Sequence, residues 1–421
     1  MKKKDNISKF IPLFIFVLAF AARVIFFIAM RKIEPHLWNA GDMGINGWLE
    51  IAQNLAAGKG YSTQMLLTYF PLDHLAPAAA RGPLPVLLLA GLIRGAPQFY
   101  GQLLFPLAWV FSAAGAVLLY FIASRALTSR VKGLCAAGFF ALYLPEMNIS
   151  TTYAAASESI FTLLLLAYLL AMLRYNQSGF SVWVLRAGLF LGCAALARPI
   201  AFYLPLIAVP YFFMEGRKSG IARAALFLLV FIACLLPWVI RNQRTLGTPL
   251  VTTTLGGYNL LRHNGLIEQN NFARRDGPSF DPAARALFAK AGYQNLDGLS
   301  EVAADRILSE EAKRIIRRYP LRYLKLCVKR LGWIWYKENQ MEKGIYLAQN
   351  IPLYVLMFAG MIYAWLRRNK YLSFLSLHIL FFIFFHAAVV AQFRFLLPVM
   401  PCGILLAVYA LSKFRIFFRC R

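Results

Sequence analysis

Acidic residues are scarce in this chain: 18 Asp and Glu stand against 45 Lys and Arg, which gives a formal net charge of +27 over 421 residues. Cysteine is also sparse. The six cysteines form no CxxC pair and mostly lie in apolar segments, which argues against a disulfide framework and against a zinc site. The sequence contains no Walker loop, no dinucleotide-binding glycine pattern and no nucleophile elbow. A nucleotide-dependent reaction therefore has no support.

Apolar residues dominate instead, with 60% hydrophobic residues, 15% charged residues and a mean hydropathy of +0.57. Repeated apolar runs of about 20 residues, one bilayer crossing each, predict an all-α polytopic membrane protein. The first run follows three lysines and lacks a small-residue cleavage site, so we interpret it as a retained span. About ten spans are predicted: 11–30, 99–124, 131–147, 153–173, 181–197, 199–214, 222–241, 349–366, 371–390 and 395–412.

Basic residues occur in the turns that lie on one side if the N-terminus is cytoplasmic. These turns are 125–132, 215–223 and 367–370, and the C-terminal end 413–421 falls on the same side. Positive flanks of this kind orient membrane proteins, and they favour anionic lipid rather than nucleic acid as the partner of the charge. The sequence therefore predicts a multi-pass protein with both termini in the cytoplasm.

The acids follow the opposite pattern, because only Asp5 and Glu215 fall on the cytoplasmic side in this topology. The chain divides into an N-terminal membrane module 1–241 with a helical first outer loop 31–98, an outer segment 242–348 and a C-terminal membrane part 349–421. The outer segment is too long for a connector and too polar to span. Any chemistry is expected on the outer face.

Helical stripes occur within the outer segment. Leu308, Ala312 and Ile315 share one predicted face, and a second stripe runs from Leu324 to Trp335 with Arg330 off it. A basic, Trp-tipped amphipathic helix is typical of the membrane interface, although the same pattern fits a helix packed on the bundle.

Two carboxylates stand out in the first outer loop. Asp42 is a candidate general base for an acceptor hydroxyl or amine. The alternative is an N-cap role, since Asp42 precedes the helix-like stretch WLEIAQNL. Glu50 is a second catalytic candidate, and it shares a helical face with Asp42 only if the helix begins by residue 43.

Arginines fall at the predicted outer ends of apolar segments: Arg81, Arg198, Arg241 and Arg394. Guanidinium groups that converge at one membrane face suit a phosphate, which they grip with paired hydrogen bonds. The alternative for each of them is snorkelling to lipid headgroups. Glu158 opens a span and is expected to pair with an outer-face arginine. Arg23 lies inside the first span and is the weakest phosphate candidate.

Several short stretches resemble one family in order along the chain. They are EIAQNLAAGKGYS (50–62), RGPLPVLLLA (81–90), SESIF (157–161), GCAALARP (192–199), PWVIRN (237–242), GGYNLLRHN (256–264) and RFLLPVMP (394–401). Together they resemble bacterial membrane glycosyltransferases of the protein mannosyltransferase type (glycosyltransferase family 39), whose fold is called GT-C. Lipid A aminoarabinose transferases are relatives of this family.

The resemblance implies a GT-C bundle in the bacterial plasma membrane with an outward-facing active site. Such enzymes are similar in transferring a hexosyl or pentosyl group from a polyprenyl-phosphate donor to an outer lipid, glycan or protein. It implies that Asp42 is the base and that outer arginines hold the lipid phosphate, although the family's aspartate aligns near Gly44 in this chain. Arg262, His263 and Asn264 of the GGYNLLRHN stretch are further site candidates.

No cofactor is indicated with certainty by the sequence. Acids of the outer loops are chemically suited to a divalent cation, but no metal-ligand spacing occurs, so no metal ligand is assigned.

A transporter or flippase for an anionic lipid-linked sugar is the alternative function. That alternative predicts charges near the bilayer midplane and inverted sequence halves, neither of which is clear here. A polymerase or ligase that consumes diphosphate-linked glycans shares the chemistry of the first interpretation.

Overall fold

Helices make up most of the residues that the structure describes. The computed structural model describes residues 2–33, 47–152, 157–214, 217–273, 277–335 and 343–419. The helices are α1 (Lys2–Ile33), α2 (Trp48–Ala56), α3 (Pro83–Gly95), α4 (Tyr100–Ala126), α5 (Arg130–Ala141), α6 (Leu144–Thr152), α7 (Glu158–Ser178), α8 (Ser181–Ala197), α9 (Pro205–Phe213), α10 (Arg217–Leu246), α11 (Gly256–Asn264), α12 (Gly277–Lys290), α13 (Glu301–Arg318), α14 (Pro320–Trp333), α15 (Lys343–Leu366), α16 (Lys370–Val389) and α17 (Met400–Arg419). Two strands, β1 (Ser62–Leu66) and β2 (Phe70–Pro77), form a hairpin, and short 3₁₀ helices link several elements.

Among the described residues, seven helical segments are long and apolar enough to cross a membrane. They are Lys9–Ile33, Tyr100–Ala126, Glu158–Ser178, Ser219–Leu246, Ala348–Leu366, Lys370–Val389 and Phe393–Lys413. Three shorter apolar helical segments, Pro83–Gly95, Ser181–Ala197 and Pro199–Phe213, lie beside them. The predicted all-α polytopic membrane protein is confirmed, with fewer long spans in the described residues than the sequence suggested.

The predicted uninterrupted span over 131–147 is wrong. Helix α5 ends at Ala141 and α6 begins at Leu144. Pro145 lacks the N–H that a continuous helix would direct to the carbonyl of Ala141, and its ring would clash with that carbonyl. The hydroxyl of Tyr143, in the break, donates to Oδ1 of Asn350 at 2.7 Å and ties the break to α15.

The first loop contains the hairpin as well as α2 and α3, so its description as helical needs correction. Strands β1 and β2 are antiparallel, with Leu66 opposite Phe70 and Ser62 opposite Pro77. Leu67 and Thr68 make the turn with φ of 52° and 63°. This turn brings Thr68 against Gly47 at the start of α2, where an added Cβ would lie 2.4 Å from the threonine methyl carbon.

A second hydrophobic core joins the hairpin to the segment after α10. Phe70 of β2 packs in it with Tyr258, Phe288, Leu308 and Ala312, all of them buried. The stripe predicted on α13 is therefore confirmed as a core face. The main core lies within the membrane bundle, and a third cluster joins α2 and α3 to α4 and α10.

Helix α14 differs from its predicted pattern. Arg330, expected off the apolar stripe, is buried, whereas Leu324 and Val328 are exposed. Burial of this guanidinium is possible because it donates to the His263 carbonyl at 2.6 Å and to Oδ1 of Asn264 at 3.0 Å. Arg330 thus ties α14 to α11.

Candidate active site

Three charged residues lie where apolar helices end at one end of the bundle. Glu158 is the first residue of α7, Arg198 follows α8, and Arg394 lies in the 3₁₀ turn between α16 and α17. The antiparallel pairs α7–α8 and α16–α17 bring these termini together at the end where α1 stops and α4 starts, called here the loop end. Nη1 of Arg198 lies 2.9 Å from Oε1 of Glu158, and both side chains are largely buried. Glu158 thus pairs with an arginine at the loop end, Arg198.

The ring of Phe395 joins the two arginines. The guanidinium carbon of Arg198 lies 5.1 Å from its centroid and that of Arg394 lies 5.0 Å from it. Oε1 of Gln392 accepts from Nε of Arg394 at 3.0 Å, and the His386 ring stacks on Phe395 at 4.9 Å. Because the Glu158 carboxylate balances one of the two guanidinium groups, the site keeps one net positive charge, and each contact with the ring stabilises a guanidinium by about 0.5–2 kcal/mol.

Arg81 lies in a wall of aromatic rings beside this site. Its Nη2 donates to Oγ1 of Thr68 at 3.0 Å, and its guanidinium carbon lies 5.4 Å from the centroid of the Trp48 ring. The ring of Tyr69 stacks on Tyr258 at 4.3 Å with an interplanar angle of 1°. The start of α2 and the hairpin turn therefore build the surroundings of Arg81.

A glycine sets the distance between the Arg81 and Arg198 segments. A Cβ on Gly82 would lie 2.6 Å from the Leu196 carbonyl oxygen and 2.8 Å from that of Ala197. Such contacts with backbone atoms cannot be relieved by a side-chain movement, so only glycine fits here. The backbone after Arg81 and the backbone before Arg198 are thus in direct contact.

Arg241 binds backbone carbonyls and also lines a pocket of about 670 Å³ together with Tyr61 and Trp238. Its Nη1 donates to the Ala78 carbonyl and its Nη2 to the Tyr61 carbonyl, both at 2.7 Å. Next in the chain, the Ala79 N–H donates to Oε2 of Glu301 at 2.5 Å. The segment that leads into Arg81 is therefore clamped from two sides.

Three candidates of the GGYNLLRHN stretch lie on α11. The guanidinium carbon of Arg262 lies 5.8 Å from the centroid of the Tyr258 ring, which places it near the aromatic wall. His263 accepts through its carbonyl, and Asn264, fully buried, accepts through its side chain, in both cases from Arg330. Arg262 is thus placed near Arg81, while His263 and Asn264 anchor α14.

The two acidic candidates of the first loop have different outcomes. Glu50 Oε1 accepts from the Gln64 N–H at 2.6 Å, which fastens β1 to α2. Asp42 lies outside the described residues. The N-cap of α2 is Gly47.

Arg23 lies inside the bundle rather than at its loop end. Its guanidinium donates to the carbonyls of Ala19 and Ala141 and, at 2.7 Å, to Oγ of Ser112. Ser112 in turn donates to Oε1 of Glu146 at 2.8 Å. This network explains how an arginine is tolerated within apolar helices.

Within the described ranges, no group of three His, Cys, Asp or Glu side chains could hold a metal ion.

The sequence analysis did not single out Glu301, which it treated only as one of the outer acids. The signal was present, because Glu301 precedes Leu308 by two helical turns and so falls on the buried face of α13. Burial raises the pKa of Glu301 to about 7.

Comparisons with known proteins give the fold. Two crystal structures of the Archaeoglobus fulgidus oligosaccharyltransferase, one in the apo form and one tethered to an acceptor peptide with an NVT sequon, align over 97% and 96% of this chain, each with a TM-score of 0.54. The identities are 13% and 14%, and the aligned parts cover 51% and 50% of the enzyme. The chain has a GT-C fold.

A structure of the same archaeal enzyme, AglB, with an inhibitory peptide and a dolichol-phosphate also aligns with a TM-score of 0.54, at 13% identity over 98% of this chain and 52% of the enzyme. The chain therefore spans about half the length of these relatives. ArnT from Cupriavidus metallidurans, in a structure with undecaprenyl phosphate, aligns over 93% of this chain and 78% of its own with 16% identity and a TM-score of only 0.36. No family model and no curated protein sequence matches this chain.

Proposed function

We propose that this protein is a membrane glycosyltransferase that moves a sugar from a polyprenyl-phosphate donor to an acceptor outside the membrane. The observation that carries the proposal is the pair Arg198 and Arg394, held at one ring where apolar helices of a GT-C fold end. A lipid phosphate at this depth needs cations at the ends of spans, and guanidinium groups bind phosphate oxygens in pairs. A solved structure of the archaeal enzyme with the same fold contains a dolichol-phosphate.

The proposed reaction is a single displacement at the anomeric carbon with inversion. The acceptor oxygen or nitrogen forms the new bond to this carbon while the bond to the donor phosphate oxygen breaks. The acceptor proton passes to the Asp42 carboxylate, and the phosphate keeps the electron pair of the broken bond. Stabilisation of that leaving group by fixed cations is the larger contribution, because preorganised charges act strongly where water is scarce.

The structure supports different roles for the four arginines. Arg198 and Arg394 are the proposed phosphate ligands, and Arg81 is a third candidate because the backbone after it contacts the backbone before Arg198. Arg241 is a positioning residue, because its hydrogen bonds fix the backbone before Arg81. The Glu50 carboxylate already accepts from the Gln64 N–H, which favours Asp42 over Glu50 as the base.

The test is transfer of radiolabelled sugar from a panel of polyprenyl-phosphate donors to native membrane lipids and glycans in proteoliposomes. We expect transfer by the wild type, loss with Asp42→Asn, and a raised donor KM with Arg394→Gln. Arg306→Gln is the matched control, since this arginine has an 80% exposed side chain on α13. It should transfer like the wild type.

Two results would contradict the proposal. Unchanged transfer by Asp42→Asn would remove Asp42 as the base and return attention to Glu50. Lipid-linked sugar that crosses the bilayer without transfer to any acceptor would establish the flippase instead.

A further inference from the structure

A pocket of about 300 Å³ lies between the hairpin and the N-terminal end of α13. Thr63 and His74 of the hairpin, Thr245 near the end of α10, and Ser300 and Glu301 at the start of α13 contribute its polar groups. Met65, Leu72 and Leu299 contribute apolar surface. The volume is at the lower end of the range for small-molecule sites, which fits a single sugar ring.

One oxygen of Glu301 is unused at this pocket. The side chain is 5% exposed, and its Oε2 accepts from the Ala79 N–H. Its Oε1 is buried without a hydrogen-bond partner in the described chain. The Thr254 hydroxyl is close enough to lower the pKa of Glu301, but it does not meet hydrogen-bond geometry. A buried carboxyl oxygen without a partner costs about 1–3 kcal/mol, which a ligand that donates to it would recover.

A short backbone segment connects this pocket to the proposed reaction site. Ala79, held by Glu301, precedes Arg81 by two residues, and two residues span at most about 7 Å. The hydroxyl of Tyr61 donates to the Arg81 carbonyl at 2.9 Å and fixes the far end of this short segment. A group bound at Glu301 would therefore lie near the backbone segment 79–81 that ends at Arg81.

We propose that this pocket is the acceptor subsite, and that a hydroxyl or amine of a sugar-sized acceptor headgroup donates a hydrogen bond to Oε1 of Glu301. The assignment of the ligand as acceptor rests on the proposed function, whereas the binding itself does not. Ammonium and hydroxyl donors share this chemistry, and the two probes below distinguish them.

The experiment is equilibrium binding of tritiated glucosamine and of tritiated glucose to the full chain in lipid nanodiscs, without a donor lipid. Glu301→Gln keeps an amide oxygen for the Ala79 N–H and turns an N–H donor towards the pocket. We expect it to bind the preferred probe about ten- to a hundredfold more weakly, the effect of losing a hydrogen bond to a carboxylate. Glu310→Gln, the same change at an exposed carboxylate of α13, should bind like the wild type.

A second variant covers the case in which Glu301→Gln does not fold. His74→Trp enlarges an exposed side chain at the pocket wall and leaves Glu301 intact, and we expect it to weaken binding too. Wild-type affinity in both variants, or no binding of either probe to the wild type, overturns the subsite. Binding that depends on Glu301 in a protein without transferase activity overturns the proposed function alone.

Discussion

Arg198 and Glu158 form an ion pair that is taken almost completely out of water at the loop end. Burial of two charges costs several kcal/mol per ion, and their mutual attraction repays this cost only while both partners remain. Phe161 and Phe395 also pack against the Arg198 guanidinium. The pair therefore holds one proposed phosphate ligand in place, and removal of either partner leaves a buried charge.

We expect Glu158→Gln to destabilise the protein by about 3–5 kcal/mol, as removal of one partner from a buried pair does. Denaturant unfolding in detergent measures the change. The double variant Glu158→Gln with Arg198→Gln should recover part of the loss, because no buried charge remains. Glu310→Gln should change stability by at most about 0.5 kcal/mol, since its partner Arg306 is exposed. Wild-type stability for Glu158→Gln would show that the pair is not structural.

Glu301 makes stability depend on pH. Burial raises its folded-state pKa to about 7 from the ordinary 4.5, while Arg241 and Thr254 oppose the rise and Asp305 adds to it. The protonated form is thus favoured by folding. The contribution of Glu301 to the free energy of unfolding is fully present below about pH 4.5 and is lost as the pH rises through about 7. Wild-type melting temperature should therefore fall relative to that of Glu301→Gln across this window, and parallel curves for the two proteins would contradict the assignment.

At the residue scale, the sequence predicted which arginines lie at span ends but not what each contacts. Arg198 pairs as expected because a carboxylate and an arginine at neighbouring helix ends have few other partners. Arg241 binds the Ala78 and Tyr61 carbonyls, which belong to an irregular segment whose path no periodicity indicates. Arg330 is buried for the same kind of reason, since its acceptors come from elements distant in sequence.

At the scale of elements, periodicity predicted the apolar helices and the buried face of α13, but not the hairpin. Hairpin turn positions with positive φ usually hold Asn, Asp or Gly, whereas the three-residue turn 67–69 uses Leu67 and Thr68 there. Contacts of Thr68 with Gly47 and Arg81 compensate for the strained backbone. A tertiary contact, not a local signal, therefore determines the turn that builds the Arg81 site.

The close approach of α3 to α8 gives a prediction at this scale. Gly82→Ala should destabilise the protein by about 1–3 kcal/mol and lower transfer, because the added methyl group forces the Arg81 segment away from Arg198. Gly91→Ala on the same helix has open space around its Cβ and should instead stabilise by about 0.5–1 kcal/mol. Thermal unfolding and donor-dependent transfer measure both effects. Equal behaviour of the two variants would show that the contact with Leu196 and Ala197 does not constrain the site.

At the scale of the whole molecule, the proposed chemistry requires α11–α14 to share one side of the membrane with the first loop and its hairpin. The helical path satisfies this: α4 is 27 residues long, or about 40 Å, and carries the chain from the loop end to Arg130 at the other end. Helix α10 returns it to the loop end before α11. Basic turns at the far end predict that this end is cytoplasmic.

Single-cysteine labelling tests this orientation. In a background without the six native cysteines, Glu310→Cys on α13 and Arg130→Cys at the start of α5 place a thiol at exposed positions on opposite sides. A membrane-impermeant maleimide applied to intact cells should label Glu310→Cys and leave Arg130→Cys unmodified until the membrane is permeabilised. The reverse pattern would turn Arg198 and Arg394 towards the cytoplasm. An acceptor outside the membrane would then be excluded, whereas the fold and the buried ion pair would be unaffected.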